Sequence, residues 1–393
     1  MIKTILFLVE DPFNQRDFQR FGVELLLENG FNVGVWDLSN ILNPHLTKNY
    51  QPPDPIDWPG CKIFNNKKVA LEKMRNLPSA TFIINFISYS PKSYCVYRAI
   101  SASQAEYAVF MAGAIPSPFM GISKRGRILS YLKRPGKVSG GKLVNYIANY
   151  SFYHSPFTWL GLKPASLILA GGKECLVYPY PVNKSTEILW AHTLDYDLYL
   201  KEKNVPATER PIAVFLDEYL PFHPDYIYAG IQAPITADGY YPLLNRFFSL
   251  AERELGLKVV IAAHPRSHYE KPPDYFEGRE WVRGKTIRLV RESRLVLAHA
   301  STALSFANLF HKPVMFLTSS DLDKSSLGPL IRVMANWFGK NPICMDGDTI
   351  IDWAQELTVN SGHYEHYRQA YIKTEHSEDL PFWQIVANKL RKG

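Results

Sequence analysis

Short apolar runs alternate with segments of helical spacing along the first half of the chain. Runs of this length predict buried strands, and apolar residues three or four positions apart predict helices that cover a sheet. Strands that alternate with helices predict a parallel sheet with right-handed crossovers. The predicted strands are residues 3–10, 32–39, 80–88, 106–113 and 164–172. The predicted helices are residues 16–30, 67–77 and 94–104.

The second half repeats this alternation after residues 195–210, which are predicted to form a helix running into a polar linker. The predicted strands are residues 211–218, 257–265 and 313–317, with a short helix and a strand inside 287–300. The predicted helices are residues 241–256, 302–312, 348–357 and 380–390. The pattern predicts an α/β protein with two Rossmann-like domains facing a central cleft, and last helices that pack back across it. The predicted domains are residues 1–200, 201–345 and a helical segment 346–393, which suits a chain of 393 residues.

Composition indicates a soluble globular protein, since 46% of residues are hydrophobic and 21% are charged. The four cysteines are scattered without a CxxC pair, so neither a zinc site nor a disulfide framework is indicated, and a reducing, cytoplasmic location is expected. The short N-terminal apolar stretch predicts no signal peptide, and the lack of a window of about 18 apolar residues predicts no transmembrane helix. A net charge of +7 favours anionic partners, but no nucleic-acid-binding motif is present.

A basic segment runs from Lys124 to Lys142 and contains seven Lys or Arg residues and no acidic residue. One interpretation is a solvated loop. The other is contact with anionic lipid headgroups or an anionic acceptor, because each cation near such a surface contributes about 1 kcal/mol. The second interpretation predicts peripheral contact with the inner face of the cytoplasmic membrane.

Ionisable and hydroxyl residues follow three predicted strands of the second half. Asp217 and Glu218 end one apolar run, His264 ends the next, and His299 follows a third. Ligands of open parallel sheets bind outside the carboxyl ends of the strands, so we expect these residues to meet in one crevice.

Each group has a functional and a structural interpretation. The side chains of Asp217 and Glu218 point to opposite faces of the strand, so only one of them is expected in the crevice. There it suits a general base, and the structural interpretation is an ion pair. His264 can meet a phosphate and donate a proton to it, or hydrogen-bond a loop carbonyl. The hydroxyl residues suit a phosphate site at a helix N-cap, or a cap without a ligand. The hydroxyl residues of this third group are Ser301, Thr302 and Ser305.

The segments LDEY (216–219), AHPR (263–266) and HAST (299–302) resemble, in this order, the acidic, HP and Ser/Thr motifs of bacterial GT-B sialyltransferases and of related 3-deoxy-manno-octulosonic acid transferases. The resemblance covers residues 211–317. It implies a GT-B glycosyltransferase that moves an acidic sugar from a CMP-sugar donor to a glycan or glycolipid hydroxyl in surface polysaccharide synthesis, of lipopolysaccharide or capsule. It implies no metal and no cofactor besides the donor.

The resemblance also implies roles for individual residues. Asp217 is the expected base, with Glu218 as the substitute candidate, and His264 contacts and protonates the CMP phosphate. The remaining expected donor contacts are Arg266, His299, Ser301, Thr302 and Ser305. On the acceptor side, Glu10 and Asp11 end the first strand and are rival bases. Tyr219 departs from the family pattern, because a Gly often follows the acid pair there.

Two alternatives remain. A UDP-sugar GT-B glycosyltransferase or a nucleotide-sugar epimerase has the same fold, but these enzymes typically place a Gly-rich turn and a ribose-binding Glu where this chain has STALSFANL (301–309). A non-catalytic glycan-binding scaffold is the second alternative.

Overall fold

The computed structural model describes residues 1–45, 54–118, 150–176, 179–229, 231–347 and 350–392. The basic segment from Lys124 to Lys142 lies outside these ranges.

The first half forms a parallel seven-stranded sheet in the order β3-β2-β1-β4-β5-β6-β7. The central strands are buried on both faces, which explains their unbroken apolar runs. The strands are β1 Thr4–Val9, β2 Asn32–Asp37, β3 Cys61–Ile63, β4 Thr81–Asn85, β5 Glu106–Phe110, β6 Leu167–Ala170 and β7 Glu187–Trp190.

The second half forms a parallel six-stranded sheet in the order β10-β9-β8-β11-β12-β13, which is the Rossmann order. The predicted α/β class with two Rossmann-like domains is confirmed. The strands are β8 Ile212–Leu216, β9 Lys258–Ala263, β10 Trp281–Arg283, β11 Leu295–Ala298, β12 Val314–Thr318 and β13 Ile343–Cys344.

Helices connect the strands and cover both sheets. In the first domain they are Gln15–Arg20, Val23–Glu28, Ser39–Leu42, Lys67–Arg75 and Tyr94–Ala102, followed by the connecting helix Leu194–Glu202. In the second they are Pro224–Ala229, Ala237–Leu255, Thr286–Glu292, Leu304–Leu309, Ser320–Lys324, Leu327–Trp337, Trp353–Glu356 and Ser361–Tyr367, which continues as the π-helix Arg368–Ile372. The last helix is Phe382–Lys392.

Four short strands at or near the sheet edges were missed by the sequence pattern, namely β3, β7, β10 and β13. They contain two to four residues each, which is too short for a periodic signal. The first sheet therefore ends with β7 and not with the predicted strand at residues 164–172.

The single helix predicted at residues 16–30 is wrong, because the chain breaks into two helices at Gly22. Gly22 has a φ of 53°, which side chains with a Cβ rarely adopt. A Cβ there would lie 2.5 Å from Cδ1 of Trp383. The break thus lets the C-terminal helix approach the first domain closely.

The C-terminal helix Phe382–Lys392 packs on the core of the first domain, as the sequence predicted. Trp383 is buried, its ring meets that of Phe7 edge-on with centroids 5.0 Å apart, and its Nε1–H donates to Arg20 O at 2.6 Å. The preceding Ser361–Ile372 segment belongs to the core of the second domain. The final 30 residues therefore connect both cores.

The π-helix also contacts the first domain at Gly172. A Cβ at Gly172 would lie 2.2 Å from the Ala370 carbonyl carbon, so only glycine fits. Because π-helical turns occur frequently at functional sites, the cleft beside this contact is a candidate functional site.

Candidate functional site

In each domain the strand order reverses between two neighbouring strands, and an acidic side chain connects the ends of these two strands. In the first domain, Glu10 follows β1, and its Oε1 accepts from the backbone N–H and the hydroxyl of Ser88, beyond β4, at 3.0 and 2.5 Å. In the second, Glu218 follows β8, and its Oε1 accepts from the backbone N–H of Ala300, beyond β11, at 2.7 Å. These reversal points are where ligands of doubly wound sheets bind.

The carboxylate of Asp217 is buried and points toward β9, away from Glu218. It accepts hydrogen bonds from the backbone N–H of Tyr219 at 2.9 Å, the backbone N–H of His264 at 3.0 Å and the hydroxyl of Tyr269 at 3.0 Å. Burial raises the pKa of Asp217 to about 6, against the lowering effect of these donors. This carboxylate is well placed to fix the loop that carries His264.

Glu218 is the more accessible acid of the pair. Its residue is partly exposed, whereas Asp217 is 4% exposed. Burial raises the pKa of Glu218 to about 7; the Ala300 N–H opposes this shift and the charge of Asp217 adds to it. A carboxyl group with this pKa can both accept and release a proton near neutral pH.

His264 is a neutral hydrogen-bond donor at the end of β9. Its Nδ1 accepts from the backbone N–H of Arg266 at 3.2 Å, which leaves the ring proton on Nε2. Burial, followed by electrostatic interactions with His223, Arg266 and Arg16, lowers the pKa of His264 to about 3. In this state the ring can donate an Nε2–H hydrogen bond to a phosphate.

Arg266 joins the two His-Pro segments of the second domain. One guanidinium nitrogen lies 3.1 Å from Nε2 of His223 and 3.0 Å from Oδ1 of Asp225. The rings of His223 and His264 are 4.8 Å apart. His223 therefore belongs to the same cluster.

The first domain brings Asp11 and Arg16 to this cluster across the cleft. Asp11 is exposed at the cleft. Desolvation by the surrounding protein, followed by the negative charges of Glu10 and Asp225, raises the pKa of Asp11 to about 6. The positive charge of Arg266 lowers the pKa of Asp11, and the positive charge of Arg16 lowers the pKa of His264. Charged groups of both domains thus act electrostatically on the same cluster.

The structure places His299 in the core, so we remove it from the candidate ligand contacts. Its side chain has no exposed surface, its Nδ1 donates to Leu317 O at 2.7 Å, and its Nε2 accepts from the Tyr240 hydroxyl at 2.9 Å. Burial lowers the pKa of His299 to about 4. This neutral ring positions the loop that follows β11.

The N-cap predicted for Ser301 or Thr302 is wrong by one to two residues. The helix begins at Leu304 after Ala303, which makes no side-chain cap. Ser301 Oγ instead accepts from the Ala303 backbone N–H at 3.3 Å. Thr302 is exposed at the cleft.

Ser305 lies deeper and donates to Oδ2 of Asp195 at 3.1 Å. Oδ1 of Asp195 lies 3.5 Å from a guanidinium nitrogen of Arg20 in the first domain. Asp195 of the connecting helix thus links the two domains.

A cavity of about 180 Å³ lies at this link, between the carboxyl ends of both sheets. Both domains, the connecting helix and the π-helix contribute to its wall. Its residues include Arg20, Phe110, Gly113, Thr193, Asp195, Thr302, Ser305 and Tyr371. A larger cavity, of about 410 Å³, lies elsewhere at Trp36 and Lys73, and contains none of the strand-end residues.

Sequence reasoning missed Arg16, Arg20, Thr193, Asp195 and Asp225. Arg16 and Arg20 lie on the first helix, and Thr193 and Asp195 lie at the start of the connecting helix, so the contact between domains brings these four to the site. Asp225 lies in the helix Pro224–Ala229 and joins the cluster within the second domain, through Arg266 at 3.0 Å. The FHPD segment was a signal for Asp225, because it repeats the His-Pro pair of AHPR. No comparable pattern marks the others.

Within the described residues, no cluster of three or more His, Cys, Asp or Glu side chains is arranged to hold a metal ion. The same residues contain no helix with the length and apolarity needed to cross a membrane.

Comparisons with known proteins identify the fold and no family. No protein-family model matches the chain, and no curated protein matches it significantly. The calicheamicin glycosyltransferase CalG4 superposes with a TM-score of 0.52 at 10% identity, over 100% of this chain and 98% of that one. A structure of the wall teichoic acid polymerase TagF with CDPG gives 0.50 at 8% identity, over 99% and 88%. UDP-GlcNAc 2-epimerase from Methanocaldococcus jannaschii gives 0.46 at 10% identity, over 100% of both chains. The fold is GT-B-like.

Proposed function

We propose that this chain is a glycosyltransferase that binds a nucleotide-activated sugar in the cleft between its domains. The proposal rests on the position of His264, Arg266 and the partly exposed acid Glu218, which follow the carboxyl ends of β9 and β8. An interdomain cavity, lined by other residues, lies at the carboxyl ends of both sheets. The GT-B-like fold agrees with this placement of the site.

The donor phosphates belong beside His264 and Arg266 in this proposal. The Nε2–H of His264 donates a hydrogen bond to a phosphate oxygen. Arg266 supplies positive charge that Asp225, at 3.0 Å, offsets in part, and Arg16 of the first domain adds a second cation. A bound phosphate would favour the protonated ring and so let His264 protonate the leaving group.

We assign the role of general base to Glu218 in preference to Asp217. Glu218 is the more exposed of the two, and its pKa of about 7 suits removal of a proton from an acceptor hydroxyl near neutral pH. Asp217 is committed to three donors within the protein. Asp11 is the rival base on the acceptor side, because it faces the same cleft.

A nucleoside diphosphate sugar, such as a UDP-sugar, is the first candidate donor. Cationic side chains on both walls, Arg16 and Arg266, suit the charge of a diphosphate. None of the structural neighbours named above is described as a transferase of CMP-activated acidic sugars, so the comparisons favour this alternative over the donor implied by the sequence resemblance.

A CMP-activated acidic sugar is the second candidate, and one observation favours it. The helix Leu304–Leu309, which follows HAST, carries no carboxylate that could bind a ribose. The order of the acidic, HP and Ser/Thr segments supports the same interpretation.

A thermal-shift panel of UDP, CDP, GDP, UMP and CMP tests the proposal. We expect UDP to raise the melting temperature more than CMP, since of two ligands that bind only the folded state at equal concentration, the tighter one stabilises it more. Greater stabilisation by CMP would select the second candidate. No shift with any nucleotide would contradict the proposed function, and binding without transfer or epimerisation of any sugar would support a scaffold.

We further propose that an aromatic surface of the first domain contacts anionic membranes, which would bring the enzyme to a glycolipid acceptor. Trp159 is 84% exposed, and Tyr150 and Tyr153, earlier in the same segment, are each 40% exposed. Trp and Tyr favour the membrane–water interface. In the sequence, the basic segment from Lys124 to Lys142 precedes these residues and would add attraction to anionic headgroups.

Vesicle co-sedimentation tests this contact. We expect binding to vesicles that contain phosphatidylserine, weaker binding to phosphatidylcholine vesicles, and loss of affinity as salt rises. Trp159→Ala should weaken binding about tenfold, because one aromatic side chain leaves the interface. Leu357→Ala, an exposed apolar residue of the second domain, is the control. Equal binding of both variants and the wild type would rule out the aromatic surface.

A further inference from the structure

The interdomain cavity is too small for a whole nucleotide sugar. Its volume is about 180 Å³. Pockets that enclose a complete drug-sized ligand measure about 300–1,000 Å³. The cavity can therefore enclose one ring, while the rest of a donor would extend along the open cleft toward His264.

The charges on its wall cancel. Among the described residues that line the cavity, Arg20 and Asp195 carry the only formal charges at neutral pH. They face each other at 3.5 Å. A ligand carboxylate in this volume would meet a cation already paired with Asp195, and the like charge of Asp195 would repel it.

The wall also offers hydrogen-bonding groups that suit hydroxyls. Thr193 Oγ1 is a buried atom that has no hydrogen-bond partner within the described part of the chain. A buried hydroxyl without a partner is unfavourable, so a ligand hydroxyl that reached it could both donate to it and accept from it. Asp195 and Ser305, joined at 3.1 Å, can share a further hydroxyl.

We propose that this cavity binds the transferred sugar of the donor and selects a neutral, hydroxylated ring over a ring that carries a carboxylate. The inference rests on the proposed function, because it assigns the sugar end of the same donor. It opposes the acidic sugar implied by the sequence resemblance. Asp195 is the residue that discriminates, and Thr193 is a general contact to a sugar hydroxyl.

Calorimetry of the 393-residue chain with UDP, UDP-glucose and UDP-glucuronate tests the charge selection. The two sugars differ only in a hydroxymethyl or a carboxylate group at C6. We expect UDP-glucose to bind about tenfold more tightly than UDP-glucuronate, and Asp195→Asn to reduce this ratio to about threefold or less. The control Glu106→Gln removes one negative charge at the amino end of β5, the opposite edge of the sheet, and should leave the ratio unchanged.

Thr193→Val tests the hydroxyl contact without a change in charge. We expect UDP-glucose to bind about fivefold more weakly, with UDP affinity unchanged, because one hydrogen bond to the sugar is lost. The melting temperature should stay the same or rise, since the variant removes a buried hydroxyl without a partner. A purely structural threonine would give the opposite stability result.

The outcomes separate this inference from the proposed function. Tighter binding of UDP-glucuronate, or of CMP-N-acetylneuraminate, than of UDP-glucose overturns the neutral-sugar assignment while the nucleotide site stands. If UDP binds and UDP-glucose binds no more tightly than UDP, the cavity is not a sugar site. If no nucleotide binds, the proposed function itself fails.

Discussion

Glu218→Gln should lower the rate of sugar transfer by about 10²–10⁴-fold and leave nucleotide affinity nearly unchanged, because a general base acts on the transition state. The glutamine can still accept the hydrogen bond from the backbone N–H of Ala300, so the fold should persist. Transfer from the best donor of the nucleotide panel, together with calorimetry of the free nucleotide, measures both quantities.

The pH profile gives an independent test of the same role. Burial raises the pKa of Glu218 to about 7, and a base must be deprotonated to work. The wild-type rate should therefore rise about tenfold per pH unit below this pKa and level off above it. The residual activity of Glu218→Gln should lack this limb of the profile.

Asp217→Asn is the matched comparison, since it also neutralises one buried carboxylate. Its amide would bring a donor toward the N–H and O–H groups that Asp217 now accepts from. We therefore expect a loss of stability of about 1–3 kcal/mol and weaker donor binding through a displaced His264. A stable Asp217→Asn that transfers slowly, beside a fully active Glu218→Gln, would restore Asp217 as the base. Normal transfer by both variants would exclude both residues as the base and leave Asp11 as the candidate.

Trp383→Ala should lower the free energy of unfolding by about 3–5 kcal/mol, the usual loss for a large buried aromatic side chain. Trp383 is 1% exposed, contacts the ring of Phe7 and donates to the carbonyl of Arg20. The helix that carries it anchors the C-terminus to the first domain, so loss of the side chain should also loosen the cleft. Chemical denaturation followed by circular dichroism measures the stability.

Trp159→Ala is the control for this effect, because Trp159 is 84% exposed and should change stability by less than about 0.5 kcal/mol. Trp383→Phe separates packing from hydrogen bonding, since it keeps a ring and loses the bond to Arg20 O. Wild-type stability of Trp383→Ala would contradict the packing of the C-terminal helix on the first domain.

The sequence pattern predicted the fold well where the signal is local. Central strands buried on both faces need unbroken apolar runs, so β1, β4, β8 and β9 were visible, and their carboxyl ends pointed to one crevice. Edge strands such as β3 and β13 bury less and are too short to show a period. Gly22 inside the predicted helix was a local sign of a possible break, but the close packing of Trp383 against it depends on a residue far away in the sequence.

For the site, the sequence by itself determined which chemical groups follow the strands of the second domain: an acid pair, a His-Pro and a Ser-Thr. Only the tertiary structure decided their roles. Packing buried His299 between Tyr240 and Leu317, directed Asp217 to β9 and Glu218 to β11, and brought Arg20 and Asp195 together at a cavity. The physical reason is that exposure, partner and pKa of a side chain depend on residues distant in the chain, whereas strand and helix periodicity depend on its immediate neighbours.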